Sequence, residues 1–192
     1  MPSDGKILGN ERLISTWPAR GGPVLKDGIV YFGAGIWPFM GVFIYALDAE
    51  TGEVVWENDS TGSKYMLQPH NSPAYAGVAP QGNLVVAGDK LLVPCGRSVP
   101  ACFDLKTGAL QYYHLAKHNK TGGAFVAAVG SYFVNYHRDS VVTLYDLTTG
   151  DSVIRRFGKV PVMTKNMLFS QGKPVTAFDL RNIRQLTKEA SI

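Results

Sequence analysis

Short apolar runs alternate with Gly-rich turns along the chain, and this pattern predicts β-strands joined by tight hairpins. The first clear pair of runs covers residues 23–26 and 29–33, with the turn Asp27-Gly28 between them. Asp-Gly between two runs of β-branched and aromatic residues is a strong hairpin signal. Comparable pairs of runs occupy residues 83–87 and 90–94, 124–129 and 132–136, and 160–163 and 167–169.

Each pair is followed by a repeated frame of strand, Asp, two residues, Thr-Gly and strand. The frame covers residues 45–56, 101–112 and 143–154, and a degenerate copy covers 176–183. Gly accepts a positive φ, and Asp and Thr side chains can bond the amides of their own turn, so each frame predicts another hairpin. Two predicted hairpins give four strands per repeat, which is typical of a β-propeller blade.

The first copy of the frame reads Ala46-x-Asp48-x-x-Thr51-Gly52-x-x-x-Trp56. It resembles the tryptophan-docking repeat of the pyrroloquinoline-quinone-like propellers, the superfamily of quinoprotein alcohol dehydrogenases. The resemblance implies that the matched residues anchor one blade to the next. The residues that it assigns to this structural role are Ala46, Asp48, Thr51, Gly52, Trp56, Asp104, Thr107, Gly108, Tyr112, Asp146, Thr149, Gly150 and Asp179. Tyr112 and Ile154, at the tryptophan position of later copies, are expected to be weaker apolar contacts.

The fold class predicted is all-β, a β-propeller segment of about four four-stranded antiparallel blades arranged as an open arc or half-ring. The expected divisions are 1–20, the tail of a preceding blade; 21–62, blade 1; 63–120, an inter-blade loop and blade 2; 121–158, blade 3; and 159–192, a degenerate blade 4. Propellers of the family close with seven or eight blades. The chain is therefore expected to be a fragment that meets further blades of the same protein, or a half-ring that pairs with a second copy.

Composition narrows the classes of function. The net charge is only +4 and the longest basic run is Arg155-Arg156, so a nucleic-acid surface is not expected. Residues 28–47 carry no charge, but their glycines and proline argue against a transmembrane segment. The start of the chain shows no signal-peptide pattern. Cys95 and Cys102 flank a predicted hairpin connection, where two free thiols are expected and a disulfide remains the alternative.

Catalytic chemistry is not expected from this chain. Family resemblance makes pyrroloquinoline quinone (PQQ) and calcium possible cofactors, but none is assigned to these residues. Calcium needs several carboxylates, and most aspartates here fall in predicted turns. His114 and His118 have the spacing of a zinc motif without its glutamate, since residue 115 is Leu, and a solvated loop is expected there.

A second set of polar and aromatic residues falls where propellers usually bind. These residues precede the innermost strands or join the second strand to the third, and binding residues concentrate on such loops. The candidate ligand-face residues are Arg20, Trp37, His70, Gln81, Arg97, His137 and Arg138. Trp37-Pro38-Phe39 stands out because two large aromatic side chains share one Gly-rich loop.

The function expected is that of a non-catalytic binding or scaffold module, which presents these loops to a protein or glycan partner. The alternative is a part of a PQQ-dependent periplasmic dehydrogenase whose cofactor site lies largely in other blades. Family resemblance implies a bacterial protein of the periplasm or cell surface.

Overall fold

The computed structural model describes residues 3–68, 70–115, 121–137, 141–172 and 174–183. Within these ranges the chain is an all-β protein in which every strand pairing is antiparallel. The strands are β1 (Lys6–Gly9), β2 (Arg12–Ser15), β3 (Ala19–Lys26), β4 (Ile29–Ala34), β5 (Phe43–Asp48), β6 (Val54–Asn58), β7 (Lys64–Leu67), β8 (Pro73–Ala76), β9 (Val85–Ala87), β10 (Lys90–Val93), β11 (Ser98–Asp104), β12 (Leu110–Leu115), β13 (Thr121–Val129), β14 (Tyr132–His137), β15 (Val142–Asp146), β16 (Ser152–Met163), β17 (Met167–Gln171) and β18 (Thr176–Asp179).

Two separate four-stranded meanders form the first two blades, β3–β6 and β9–β12. The hairpin predicted at Asp27-Gly28 is confirmed: both residues have positive φ, 49° and 77°, as a type I′ turn requires. A 3-10 turn, Pro38–Met40, lies in the connection between β4 and β5. The uncharged stretch of residues 28–47 is thus built from strands and this short turn. Among the described residues, no helix is long and apolar enough to span a membrane.

The third and fourth blades share one long strand, β16. Its first part pairs with β15 as far as Gly158, and its second part pairs with β17 from Lys159 onward, so β13–β18 form one six-stranded sheet. Gly158 and Val160 have φ of 153° and 45° at the bend. The boundary expected between residues 158 and 159 falls inside this strand, and the fourth blade has three strands in the part of the chain that the structure describes.

Two segments outside the blades are hairpins. Residues 1–20, the expected tail of a preceding blade, contain the β1–β2 hairpin, and β3 already begins at Ala19. The connection after blade 1 was expected to be a loop, but β7 and β8 pair over Lys64↔Ala76 to Leu67↔Pro73.

The hydrophobic core is divided into layers between neighbouring blades. Tyr31 and Trp56 of blade 1 pack in one buried cluster with Phe103 of blade 2. A second cluster joins blades 2 and 3, and a third joins blades 3 and 4. Since a fully buried large apolar side chain contributes about 1.5–3 kcal/mol, these layers are the main force between blades.

Candidate binding face

The connections fall at two opposite ends of the blades. Because neighbouring strands are antiparallel, connections alternate between the ends along the chain. One end, here called the turn face, is formed by the tight turns at 27–28, 49–53, 88–89, 105–109, 130–131 and 147–151. The other end, here called the loop face, is formed by connections 35–42, 59–84 and 94–97. The docking residues cluster at or near the turn face, and the described candidate ligand residues lie at the loop face.

Aspartate side chains organise the turn face through bonds to their own turns. Asp48 Oδ1 accepts hydrogen bonds from the Glu50 and Thr51 amides at 3.0 and 2.8 Å and from the Thr51 hydroxyl at 3.0 Å. Asp104 accepts the same three bonds from Lys106 and Thr107. Asp146 accepts bonds from the amides of Thr148 and Thr149. Each carboxylate thus supplies acceptors for amides that the turn leaves unpaired.

The residue after each aspartate ties the two turns of one blade together. The amides of Ala49, Leu105, Leu147 and Leu180 donate to the carbonyls of Gly28, Asp89, Ser131 and Asn166 at 2.8–2.9 Å. The degenerate fourth copy, which lacks Thr-Gly, therefore keeps the backbone bond of the first three. Its aspartate, Asp179, accepts a bond from the Arg181 amide at 2.9 Å and also pairs with the Arg181 guanidinium at 2.7 Å.

Trp56 bridges blade 1 to the turn of blade 2. Its indole Nε1 donates to the Leu105 carbonyl at 3.0 Å, and its ring lies against Gly108, where an added Cβ would collide with it. Asn58 Nδ2 donates to the Gly108 carbonyl at 2.9 Å. Gly at position 108 therefore serves two purposes, the turn's positive φ of 70° and the close approach of the ring.

Tyr112 makes the corresponding contact between blades 2 and 3. Its hydroxyl donates to the Leu147 carbonyl at 3.1 Å, and its ring covers Gly150. The His114 ring stacks on the Tyr112 ring, with centroids 5.3 Å apart and an angle of 5° between the ring planes. His114 Nε2 lies 3.1 Å from the Thr149 carbonyl oxygen. The expectation that Tyr112 contacts its neighbour only through apolar packing was incomplete, and the loop expected at His114 is wrong, since His114 lies in β12. His118 lies outside the described residues.

Hydrogen bonding at the turn face lowers the pKa of its carboxyls. The Thr51 amide, with the Thr51 hydroxyl and the Glu50 amide, lowers the pKa of Asp48. The Thr107 hydroxyl and amide do the same for Asp104. The bonds from Arg181 lower the pKa of Asp179 to about 2. All of these bonds favour the charged carboxylate.

These carboxylates do not form the donor set of a calcium or quinone site. Calcium takes about six to eight oxygen ligands, usually with several carboxylates converging. Among the described residues no group of three or more His, Cys, Asp or Glu could hold a metal ion. The aspartates are spread over successive turns and bond their own backbone, so the residues described here do not fit PQQ with calcium.

Both cysteines are free thiols in the structure. Cys102 is fully buried against blade 3, and burial raises its pKa to about 11. Burial raises the pKa of Cys95 to about 11 as well. A thiol nucleophile needs a lowered pKa and access, so neither cysteine is suited to catalysis.

Arg20 and Gln81 meet at the loop face, although they are far apart in sequence. Arg20 Nη2 donates to Gln81 Oε1 at 2.8 Å, and the Gln81 amide donates to the Pro94 carbonyl at 2.8 Å. The adjacent Gly82 packs so closely on Ala124 that an added Cβ would collide with its carbonyl. Blades 1, 2 and 3 thus approach one another through this segment, and exposed Arg97 follows Gly96, which lies beside Gln81.

Trp37 and Phe39 form an exposed aromatic pair in the 3-10 turn. Their ring centroids are 6.3 Å apart at 28°, and the residues are 49% and 63% exposed. The turn is fixed from below, because Trp17 Nε1 donates to the Met40 carbonyl at 2.8 Å. The backbone that carries the two exposed rings is therefore fixed by a hydrogen bond from Trp17.

The β7–β8 hairpin carries a second aromatic pair on the same face of the blades. Tyr65 and Tyr75 are register partners with ring centroids 5.3 Å apart, and β8 lies beside the 3-10 turn. We call the exposed side chains of Trp37, Phe39, Tyr65, Leu67 and Tyr75 the aromatic patch. The sequence indicated Trp37 but predicted a loop where the hairpin lies; the available signal was two short apolar runs, Tyr65-Met66-Leu67 and Ala74-Tyr75-Ala76, on either side of turn-forming residues.

The remaining candidates are not part of the patch. His70 is exposed near the tip of the β7–β8 hairpin. His137 ends β14, and Arg138 lies outside the described residues. The structure therefore brings Arg20 and Gln81 together and leaves the aromatic patch as an exposed apolar feature of the loop face.

Solved structures share this fold at low sequence identity. BamB from Moraxella catarrhalis is 18% identical, with a TM-score of 0.55 over 91% of this chain and 49% of that chain. The computationally designed Ika4 is 15% identical, with a TM-score of 0.51 over 82% of this chain and 89% of that chain. The designed Ika8 is 14% identical, with a TM-score of 0.51 over 83% of this chain and 45% of that chain. The chain thus has a β-propeller fold and spans about half the length of BamB.

No family model and no curated protein matches the sequence.

Proposed function

We propose that the chain is a non-catalytic binding module, which uses its loop face to hold a partner and its turn face to hold its blades together. The observation that carries the proposal is the aromatic patch, five large exposed side chains on two adjacent elements of one face. Of the two classes of partner open to such a surface, a protein is favoured over a glycan, because protein interfaces are enriched in exposed aromatic residues and Arg.

Exposed aromatic side chains cost solvation free energy unless something covers them. Protein interfaces are enriched in Trp, Tyr, Phe and Arg, and a few such residues supply most of the binding energy. The aromatic patch provides these residues on a buttressed backbone, and Arg20 and Arg97 lie on the same face. Exposed apolar patches usually mark interaction sites.

A peptide library tests the proposal without knowledge of the partner. Random peptides displayed on phage are selected on the purified chain, and a glycan array is probed in parallel. Selected peptides are expected to bind the chain and to lose about tenfold or more in affinity to the double variant Trp37→Ala, Phe39→Ala. The matched control is Val54→Ala, Val55→Ala, which removes two exposed apolar side chains of β6 and is expected to leave binding unchanged.

Three results would contradict the proposal. Peptides that bind both double variants equally would remove the aromatic patch from the site. Glycan binding without peptide binding would make the partner a carbohydrate. Saturable one-to-one binding of PQQ in the presence of calcium would favour the dehydrogenase alternative, whose donor set the described residues do not supply.

We also propose that the protein is exported to the periplasm or cell surface of a bacterium. The support is the β-propeller fold together with the resemblance of the repeat to a mostly exported family. Fractionation of the native host, with an antibody against the chain, tests this: the proposal requires recovery outside the cytoplasm.

A further inference from the structure

The β7–β8 hairpin is a two-stranded sheet that pairs with no other strand in the described part of the chain. Two strands alone are at best marginally stable in water, and a free edge exposes unpaired N–H and C=O groups. The β8 strand lies beside the 3-10 turn, whereas the outer edge of β7 pairs with no strand among the described residues. The open edge is therefore that of β7.

Hydrogen-bond alternation shows which groups of β7 point outward. The Gln68 amide donates to the Ser72 carbonyl, and Pro73, the register partner of Leu67, has no N–H to give. Hydrogen-bonded and non-bonded pairs alternate in an antiparallel ladder. Met66 therefore bonds across to β8, while Tyr65 and Leu67 direct their N–H and C=O groups to the open edge.

The side chains of the same two residues line the apolar face of the hairpin. Residues two apart lie on one face of a strand, so Tyr65 and Leu67 share a face with Tyr75, the partner of Tyr65. These three residues are 65%, 62% and 55% exposed. Lys64 supplies a positive charge at the start of the strand.

We propose that β7 binds an extended segment of a partner protein as an added third strand. Only an extended backbone offers N–H and C=O groups at the strand repeat, so the open edge selects a polypeptide over a glycan or a lipid. The partner segment alternates apolar residues, which lie on Tyr65 and Leu67, and carries an acidic residue near Lys64. This inference rests on the proposed function and specifies how that face holds its partner.

The outer strand of blade 1, β6, is a weaker candidate although it also exposes two valines. Glu53 and Glu57 flank them, and Asn58 at its end is bonded to Gly108 of the next blade. Trp56 of the same strand is docked on that blade. Bonds to blade 2 and the two glutamates therefore disfavour the addition of a strand to β6. Among the described residues β7 pairs only with β8, and its own charged residue is Lys64.

The test uses a synthetic peptide, Glu-Val-Thr-Val-Thr-Val-Glu, and the same peptide with N-methyl groups on its valines. Titration by NMR is expected to show saturable binding and slower exchange of the Tyr65 and Leu67 amides, with little change at Met66. The variant Leu67→Pro removes one outward N–H and is expected to weaken binding about tenfold or more. Leu67→Thr keeps that N–H and serves as the matched control for the lost apolar side chain.

Equal affinity of Leu67→Pro and Leu67→Thr, equal binding of the N-methylated peptide, or no binding of the parent peptide would each overturn the inference. An amide spectrum of each variant shows whether the blades remain folded, and the N-methylated peptide needs no variant at all. If library peptides bind through Trp37 and Phe39 and are indifferent to Leu67→Pro, the proposed function stands and strand addition fails. If neither the library nor this peptide binds, both fail.

Discussion

Trp56 and Tyr112 hold the same position in successive repeats and form the same bond with different atoms. The indole N–H and the phenol O–H each donate to the carbonyl that follows the aspartate of the next blade, at 3.0 and 3.1 Å. Both rings cover the glycine of that turn. In these two copies the position holds a flat side chain with a donor at its far end, whereas the third copy has Ile154, which only packs against the cluster between blades 3 and 4.

Replacing Tyr112 by Phe should destabilise the chain by about 1–3 kcal/mol, because it leaves the buried Leu147 carbonyl without its donor. Urea unfolding followed by tryptophan fluorescence measures the change. Tyr75→Phe, which alters an exposed hydroxyl, is the control and should change the unfolding free energy by less than about 0.5 kcal/mol. Equal stability of Tyr112→Phe and the parent would show that the Leu147 bond contributes nothing.

Acid should weaken the blades through the same turns. Folding lowers the pKa of Asp48, Asp104 and Asp179 from an unfolded value of 3.8, so the stability that they contribute is present above about pH 3.8. It is lost as the pH falls through their folded pKa values, which for Asp179 is about 2. Unfolding free energies measured between about pH 5 and pH 2 should therefore decrease, and the decrease should be smaller in Asp48→Asn, Asp104→Asn. An identical decrease in that variant would assign the acid sensitivity to other groups.

At the scale of elements, a hairpin of the turn face must form its own tight turn, and it can also contact the aromatic ring of the preceding blade. Gly52 and Gly108 allow a direct comparison, since they occupy the same turn position with φ of 73° and 70°. A Cβ at Gly52 meets nothing within 4 Å, whereas one at Gly108 collides with Trp56.

Gly52→Ala should therefore cost only the strain of a left-handed conformation, about 1–2 kcal/mol. Gly108→Ala carries the same strain and also displaces the Trp56 ring, so its loss of unfolding free energy should exceed that of Gly52→Ala by about 1–3 kcal/mol. Chemical denaturation of the two variants side by side measures the difference. Equal losses would show that the ring is not held tightly against the turn.

Which elements the sequence predicts depends on how local their signals are. The hairpins at Asp27-Gly28 and at the Asp-x-x-Thr-Gly frames were predicted because turn residues and bonds lie within a few positions. The β7–β8 hairpin was not predicted, since its strands have four residues each and its connection contains no Gly. The continuity of β16 was also not predicted, because nothing within residues 152–163 shows that one strand pairs first with β15 and then with β17.

The same limit applies to the candidate site. Arg20, Trp37, Gln81 and Arg97 could be placed on one face from strand order alone, because antiparallel connections alternate between two ends. The bond between Arg20 and Gln81, and the approach of β8 to the 3-10 turn, depend on how blades and hairpin pack in three dimensions. Periodicity along one strand carries no information about such contacts.

At the scale of the whole molecule, the two faces should separate stability from binding. The variant Trp37→Ala, Phe39→Ala alters two exposed rings that lie outside the buried clusters, so its unfolding free energy should stay within about 0.5 kcal/mol of the parent. Trp56→Ala empties a position in the layer between blades 1 and 2 and should cost about 3–5 kcal/mol. Denaturant titration compares them, and a large loss in the first variant would make the aromatic patch structural.

Hydrogen–deuterium exchange of the chain, free and saturated with a peptide selected from the displayed library, tests the division between the faces most directly. The account predicts that bound peptide slows exchange in residues 35–43 and 62–82. It predicts no slowing in the turns at 49–53, 105–109 and 147–151. Slowing confined to those turns, with the loop face unchanged, would contradict the assignment of binding to one end of the blades and structure to the other.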